Sequence, residues 1–183
     1  MPVLWAGGRR IGLAELRAQP SLRPVLIRRG ALGTDRPLAV SRQHAVLLQG
    51  PDGRPALARA GQLARLGLGA FRVQEGCREV VWHHLFLPRH ALIRANGAWT
   101  ESLWPGPRGL SALGPRAVRE IVAALPALAA GIASPMTLPQ AYGARLGPML
   151  SGADLRALGR IGPAEPALFP LTDSLPRIVS VAG

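Results

Sequence analysis

The chain has 183 residues, 48% hydrophobic and only 4% aromatic, with a formal net charge of +12. That length can bury one core with a small appendage, and no charge-free apolar run reaches the roughly 18 residues that a membrane span needs. The 22 basic residues are all arginine, scattered from Arg9 to Arg177 and adjacent only at Arg9–Arg10 and Arg28–Arg29. With so few aromatics to stack bases, nucleic-acid binding is not expected, and the richness in Ala, Gly, Pro and Arg reads as coding bias.

The N-terminal MPVLWAGGRRIGLAELR carries its arginines after a short apolar part, the reverse of a secretory signal. Cytoplasm and export by a signal-less route both stay open. Pro24–Arg28 is apolar and β-branched, and is followed by a loop with Gly30, Gly33 and Pro37. Two short strands, LAV and AVLLQ, flank the tetrapeptide SRQH, and the turn cluster Gly50–Pro55 ends the second. Residues 55–68 predict one short helix, ended by Gly67 and Gly69. FRVQEG and REVVWHHLFL follow as strands. Val80–Leu87 is rich in β-branched and aromatic types, Pro88 predicts a kink or bulge, and Asn96-Gly97 predicts a two-residue hairpin returning through AWTESLW.

From Trp104 the character changes. PGPRG is a linker-like break, and Gly114-Pro115 opens a helix with Val118, Ile121, Val122 and Leu125 on one face, which Pro126 kinks or ends. Ser151 and Asp154 have capping-box spacing. The proline-bearing tail from Gly162 is expected to be extended or loose. The fold class is therefore mainly β, with a helical C-terminal extension.

Three of the four histidines, His83, His84 and His90, lie within eight residues. Adjacent strand residues point to opposite faces, so His83 and His84 cannot share one ion without a bulge. A zinc site would need His44, Cys77, Glu79 or Glu101 brought in by folding, and no metal or other cofactor is expected. The lone Cys77 excludes an internal disulfide framework; in EGCREV it reads as an inert thiol. Ser41 and His44 form no serine-hydrolase signature, because no Gly-x-Ser-x-Gly elbow exists.

In order, PVLIRRGALG, LAVSRQHAVLL and VVWHHLFLPRHALIRANGAWTESLWPG resemble the bacterial branch of the Hedgehog/intein (Hint) domains, over about residues 2–113. The resemblance implies an all-β, horseshoe-like domain over residues 2–105, followed by the extension over 106–183. It implies self-processing: a cysteine at the domain's start attacks the preceding peptide bond, and the thioester formed is then resolved. The substrate is the protein's own flanking polypeptide, in a longer form. Ser41 and His44 match the family's Thr-x-x-His motif, with His44 protonating the leaving nitrogen and Ser41 orienting it or the scissile carbonyl. His90 matches the histidine of the later strand motif, and His84 is a second polar member of that strand.

The departures shape the expectation. The family's cysteine-bearing opening block falls upstream of PVLWAGGRRI, so the domain is expected to be N-terminally truncated and incomplete or inactive as it stands. The His-Asn pair of splicing relatives is replaced by Thr100-Glu101-Ser102. Two alternatives remain: a non-catalytic binding or structural module, and, for Ser41–His44, a plain strand-entry turn in which the hydroxyl caps a backbone group. No oligomeric state follows from the sequence.

Overall fold

The computed structural model describes residues 1–158, 160–166 and the short strand Val179–Ser180. The protein is mainly β, with its helices concentrated after residue 106. Most of the tail from Gly162 lies outside the described residues.

Strand β1 (Trp5–Gly12) pairs antiparallel with β7 (Glu79–Phe86), from Trp5 opposite Phe86 to Gly12 opposite Glu79. Alternation sends Trp5, Gly7, Arg9 and Ile11 to the inner face of this ribbon, beside Val80, Trp82, His84 and Phe86. Gly7 leaves room there for the Trp5 indole folded across it, since a Cβ would sit 2.2 Å from that ring and push it aside. The indole Nε1–H of Trp5 in turn donates to Glu120 at 2.8 Å, so the ribbon leans on the helical segment.

Two further sheets complete the β region. Strands β2 (Val25–Ile27), β3 (Leu38–Val40) and β6 (Phe71–Val73) form one, in the order β3-β2-β6. The other has the order β10-β8-β9-β4-β5, from β4 (Ala45–Gln49), β5 (Pro55–Arg59), β8 (Leu92–Ala95), β9 (Ala98–Glu101) and β10 (Val179–Ser180). Residues 55–68 depart from the expectation of a single helix. Pro55–Arg59 is instead a strand paired residue for residue with β4, and the helix, which follows α1 (Leu13–Ala18) in the chain, is confined to α2 (Ala60–Arg65). Pairing opposite the buried β4 overrides helix propensity, since Ala56, Leu57 and Ala58 are all taken into the core.

Pro88 marks the expected kink between β7 and β8. Asn96 and Gly97 both have positive φ, 47° and 90°, the geometry of the hairpin turn that these residues favour. The hairpin tip is docked as well as turned. Asn96 Nδ2 donates to the Pro37 carbonyl at 2.9 Å, and its own carbonyl accepts the Asp35 N–H at 3.0 Å.

After the strands come α3 (Pro107–Leu113), α4 (Pro115–Ala124), α5 (Leu128–Ala133), α6 (Leu138–Tyr142) and α7 (Gly152–Ala157). The break expected at PGPRG is shorter than it looked: Pro107 already occupies the first turn of α3, where a missing N–H costs nothing. Pro126 ends α4 as expected, and Ser151 and Asp154 form a reciprocal capping box on α7. The helices pack on the end of β7 through Phe86, Leu103, Leu110, Ile121, Leu128, Leu138 and Tyr142. A second core joins β2, β4, β5 and α2 to Leu150 and Leu155.

At Gly97 a side chain would meet the Gly33 carbonyl oxygen at 2.4 Å while also holding a left-handed φ. Gly97→Ala is therefore expected to destabilise the protein by about 1–3 kcal/mol, read as a lower urea midpoint at unchanged slope.

Candidate functional site

The SRQH tetrapeptide is a turn at the entry to β4. The Ser41 carbonyl accepts the His44 N–H at 3.1 Å, closing four residues. The carbonyls of Arg42 and His44 then accept the N–H groups of Gly61 and Ala60, each at 2.9 Å. Those donors open α2 and have no partner within the helix, so the turn serves as its cap. Gly61 permits this approach, since a Cβ there would come within 2.8 Å of the Arg42 oxygen. The hydroxyl cap expected of a plain strand-entry turn is not what closes it. Backbone does, and the half-buried Ser41 hydroxyl makes no hydrogen bond among the described residues.

Beside the turn lies a carboxylate, Glu101, at the end of β9. Strand β9 runs next to β4, with Val46 opposite Thr100. This register brings the Glu101 side chain under the turn, where Oε1 accepts the Ala45 N–H at 3.0 Å. Its Oε2 is contacted by His90 Nε2 at 3.2 Å and by an Arg145 guanidinium nitrogen at 3.3 Å. Only 8% of the Glu101 side chain is exposed. Burial pushes the carboxyl up, but the His90 hydrogen bond and the charges of His44, His90 and Arg145 outweigh it and hold the group down at about 2.

His90 sits in the kink after Pro88, its ring fully buried. Nδ1 accepts the backbone N–H of Leu146 at 2.9 Å, so the proton resides on Nε2, facing Glu101 and the Ser102 carbonyl 3.2 Å away. The Ser102 hydroxyl accepts the Ala91 N–H at 3.1 Å and so staples the kink to the end of β9. The Trp104 ring lies 5.2 Å from the imidazole.

His44 and His84 both have lowered pKa values. For His44 burial is the main cause; Glu101 opposes it, and His90 reinforces it. For His84 burial leads again, helped by His44 and His83, and the value falls to about 4. His84 comes from the inner face of β7 and lies close enough to His44 to feel its charge. His83 points to the opposite, exposed face, as alternation requires.

The structure thus brings His44 and His90 to Glu101, sets His84 within reach of His44, and holds Ser41 in the same turn as His44. Sequence reasoning weighed Glu101 only as a metal ligand and missed Arg145 and the Leu146 N–H. One signal pointed to Glu101: it is the sole acidic residue between Glu79 and Glu120, and it stands at the end of a mostly apolar return strand. Cys77 lies apart, in the turn before β7, its Sγ donating to the Glu79 carbonyl at 3.1 Å. Five extended residues, roughly 17 Å, separate Glu79 from His84. Among the described residues, no group of three His, Cys, Asp or Glu is arranged to hold a metal ion, and no helix is long and apolar enough to cross a membrane.

These lowered values couple stability to pH with one sign. A group whose folded pKa lies below its unfolded one binds fewer protons when folded, so stability falls on acidification through that window. For His84 the window runs from 6.5 down to about 4, with His44 acting in the same direction. For Glu101 it runs from 4.5 down to about 2. Thermal melts from pH 7.5 to 3 should show Tm falling in both stretches, with His84→Asn flattening the upper one and Glu101→Gln the lower.

The Hint domain profile matches residues 1–107. The match runs from Met1, ahead of β1, to the first residue of α3 and takes in the SRQH turn, the histidine-bearing strand, the kink and Glu101. Searches of the curated proteins and of the solved structures returned no match. With more than half of its 183 residues matched, and with a mainly β body that carries the motif residues together, the chain belongs to the Hint domain family.

Proposed function

We propose that this site supports self-processing, the cleavage of a peptide bond in the protein's own flanking polypeptide through a thioester. The β domain of residues 2–105 carries the chemistry, and residues 106–183 form its helical extension. No cofactor is needed. The nucleophile is a cysteine supplied by a flanking segment in a longer form of the protein; without one, the domain is inactive. The observation that carries this reading is a buried carboxylate, Glu101, bonded to the Ala45 N–H, His90 and Arg145 beside His44, with burial lowering the pKa values of His44 and His84.

The steps follow from those charges. The cysteine thiol attacks the carbonyl carbon of the preceding peptide bond, and its proton passes to His44, which is neutral and able to accept it. An S–C bond forms, the C–N bond breaks, and the imidazolium returns the proton to the departing nitrogen. The products are a thioester and a free amine. Water or a second nucleophile then takes the acyl group and restores the thiol. Glu101 stabilises the transient imidazolium, as the carboxylate of a catalytic triad does. The unengaged Ser41 hydroxyl hydrogen-bonds the scissile carbonyl or the departing nitrogen. His84 keeps a second positive charge away from His44, and His90 orients Glu101.

A second reading, a non-catalytic binding or structural module, draws on one observation: both ring nitrogens of His90 are engaged in bonds that hold the fold. The two separate experimentally. The full chain is fused behind a segment ending in cysteine, and intact mass is followed with and without hydroxylamine, which intercepts a thioester. Cleavage is expected, and His44→Ala should slow it by about 10²–10⁴-fold with the circular dichroism unchanged. Undiminished cleavage in His44→Ala overturns the assignment; no cleavage in any fusion favours the structural module.

A further inference from the structure

The family match ends at residue 107, yet two of the groups touching the Glu101–His90 pair lie beyond it. After α6 the chain runs without regular structure from Gly143 to Leu150, and both ends of that run are fastened. At one end the Tyr142 hydroxyl donates to the Leu87 carbonyl at 2.9 Å, just before the kink that carries His90. Its ring stacks on Phe86 at 5.1 Å and tilts against Trp104 at 5.5 Å.

At the other end the Pro148 carbonyl accepts the Leu57 N–H at 2.9 Å, and the Leu150 N–H donates back to the Leu57 carbonyl at 2.8 Å. This adds a short parallel bridge to the free edge of β5. Between the two anchors, Leu146 and Met149 pack on Ala45, Leu47, Leu57 and Leu92. Arg145 and the Leu146 N–H reach the site from there.

We propose that residues Tyr142–Leu150 are a strap that completes the site, with the Leu146 N–H fixing the His90 tautomer and Arg145 serving as the charged partner of Glu101. The chemistry assigned to His44 then requires the strap docked. Both are positioning residues: neither reaches His44, and each acts through a group that does or through that group's partner. An Nδ1 with no donor facing it could carry the ring proton itself, leaving Nε2 with nothing to give Glu101. The titratable and charged groups facing Glu101 are His44 from the turn, His90 from the kink and Arg145 from the strap; those facing His44 are Glu101, His90 and His84. Arg145 is the only permanent cation among them.

This inference rests on the self-processing reading, but its first test needs no cleavage. In full-length protein labelled at histidine ring nitrogens and glutamate carboxyl carbons, NMR should show His90 as the Nε2–H tautomer. Leu146→Pro deletes the donor and should convert His90 to a mixed or Nδ1–H form. Arg145→Ala, at a side chain 38% exposed, should shift the Glu101 titration upward, and Arg145→Lys should restore most of it. An unmoved titration in Arg145→Ala overturns the strap even if Leu146→Pro fails to fold. In the cysteine-bearing fusion, Arg145→Ala should slow cleavage on the order of ten- to a hundredfold, the worth of one charge-assisted hydrogen bond. Cleavage at the original rate overturns the strap and leaves His44 in place; no cleavage in any fusion overturns the self-processing reading and leaves the NMR result to judge the strap's contacts.

Discussion

An ionised carboxylate in an apolar sheet is tolerated only when its charge and its lone pairs are answered by nearby donors. Glu101 is answered by three: the Ala45 N–H, the His90 imidazole and the Arg145 guanidinium. Those donors come from β4, from the kink after β7 and from the chain beyond α6. None of these segments can shift without leaving part of a buried charge unmatched, so the carboxylate sets where each must lie. The SRQH turn inherits its position from the same contact, because Ala45 follows His44 directly.

The same burial acts oppositely on acids and bases. Desolvation disfavours every charged form, which alone would raise Glu101 and lower the histidines. Glu101 escapes because its partners are within hydrogen-bond reach. Among the described residues, His84 gains no compensating anion, and His44 gains only the Coulombic pull of Glu101. The outcome is an ionised acid beside neutral bases in one small volume. Titratable groups pushed apart in this way mark candidate chemistry.

The helical segment contributes to this arrangement from outside the matched family region. Its apolar faces close over Phe86 and Leu103, the residues that flank the kinked hairpin. Tyr142 places a hydroxyl on the Leu87 carbonyl, which would otherwise be a buried acceptor at a strand end. The aromatic series Phe86, Tyr142, Trp104 and His90 continues that contact into the site. Packing of the helices and geometry of the histidine are thus one problem.

By itself the sequence determined the features that depend on neighbours along the chain. The Asn96-Gly97 turn, the opposed faces of His83 and His84, the break at Pro88, the end of α4 at Pro126 and the capping box at Ser151 all follow from local sterics and hydrogen bonding. The order of SRQH, the histidine-bearing strand and the hairpin likewise carried the family. What the chain could not disclose depends on register and long-range contact. Pro55–Arg59 became a strand because β4 offered it an edge, and β1 found its partner 67 to 81 residues away in β7. Glu101, weighed from the sequence only as a metal ligand, is turned inward by the alignment of β9 with β4. Arg145 and Leu146 joined it only because the chain after α6 returns to the edge of β5, a contact between residues over 40 positions apart that leaves no periodic trace in the sequence.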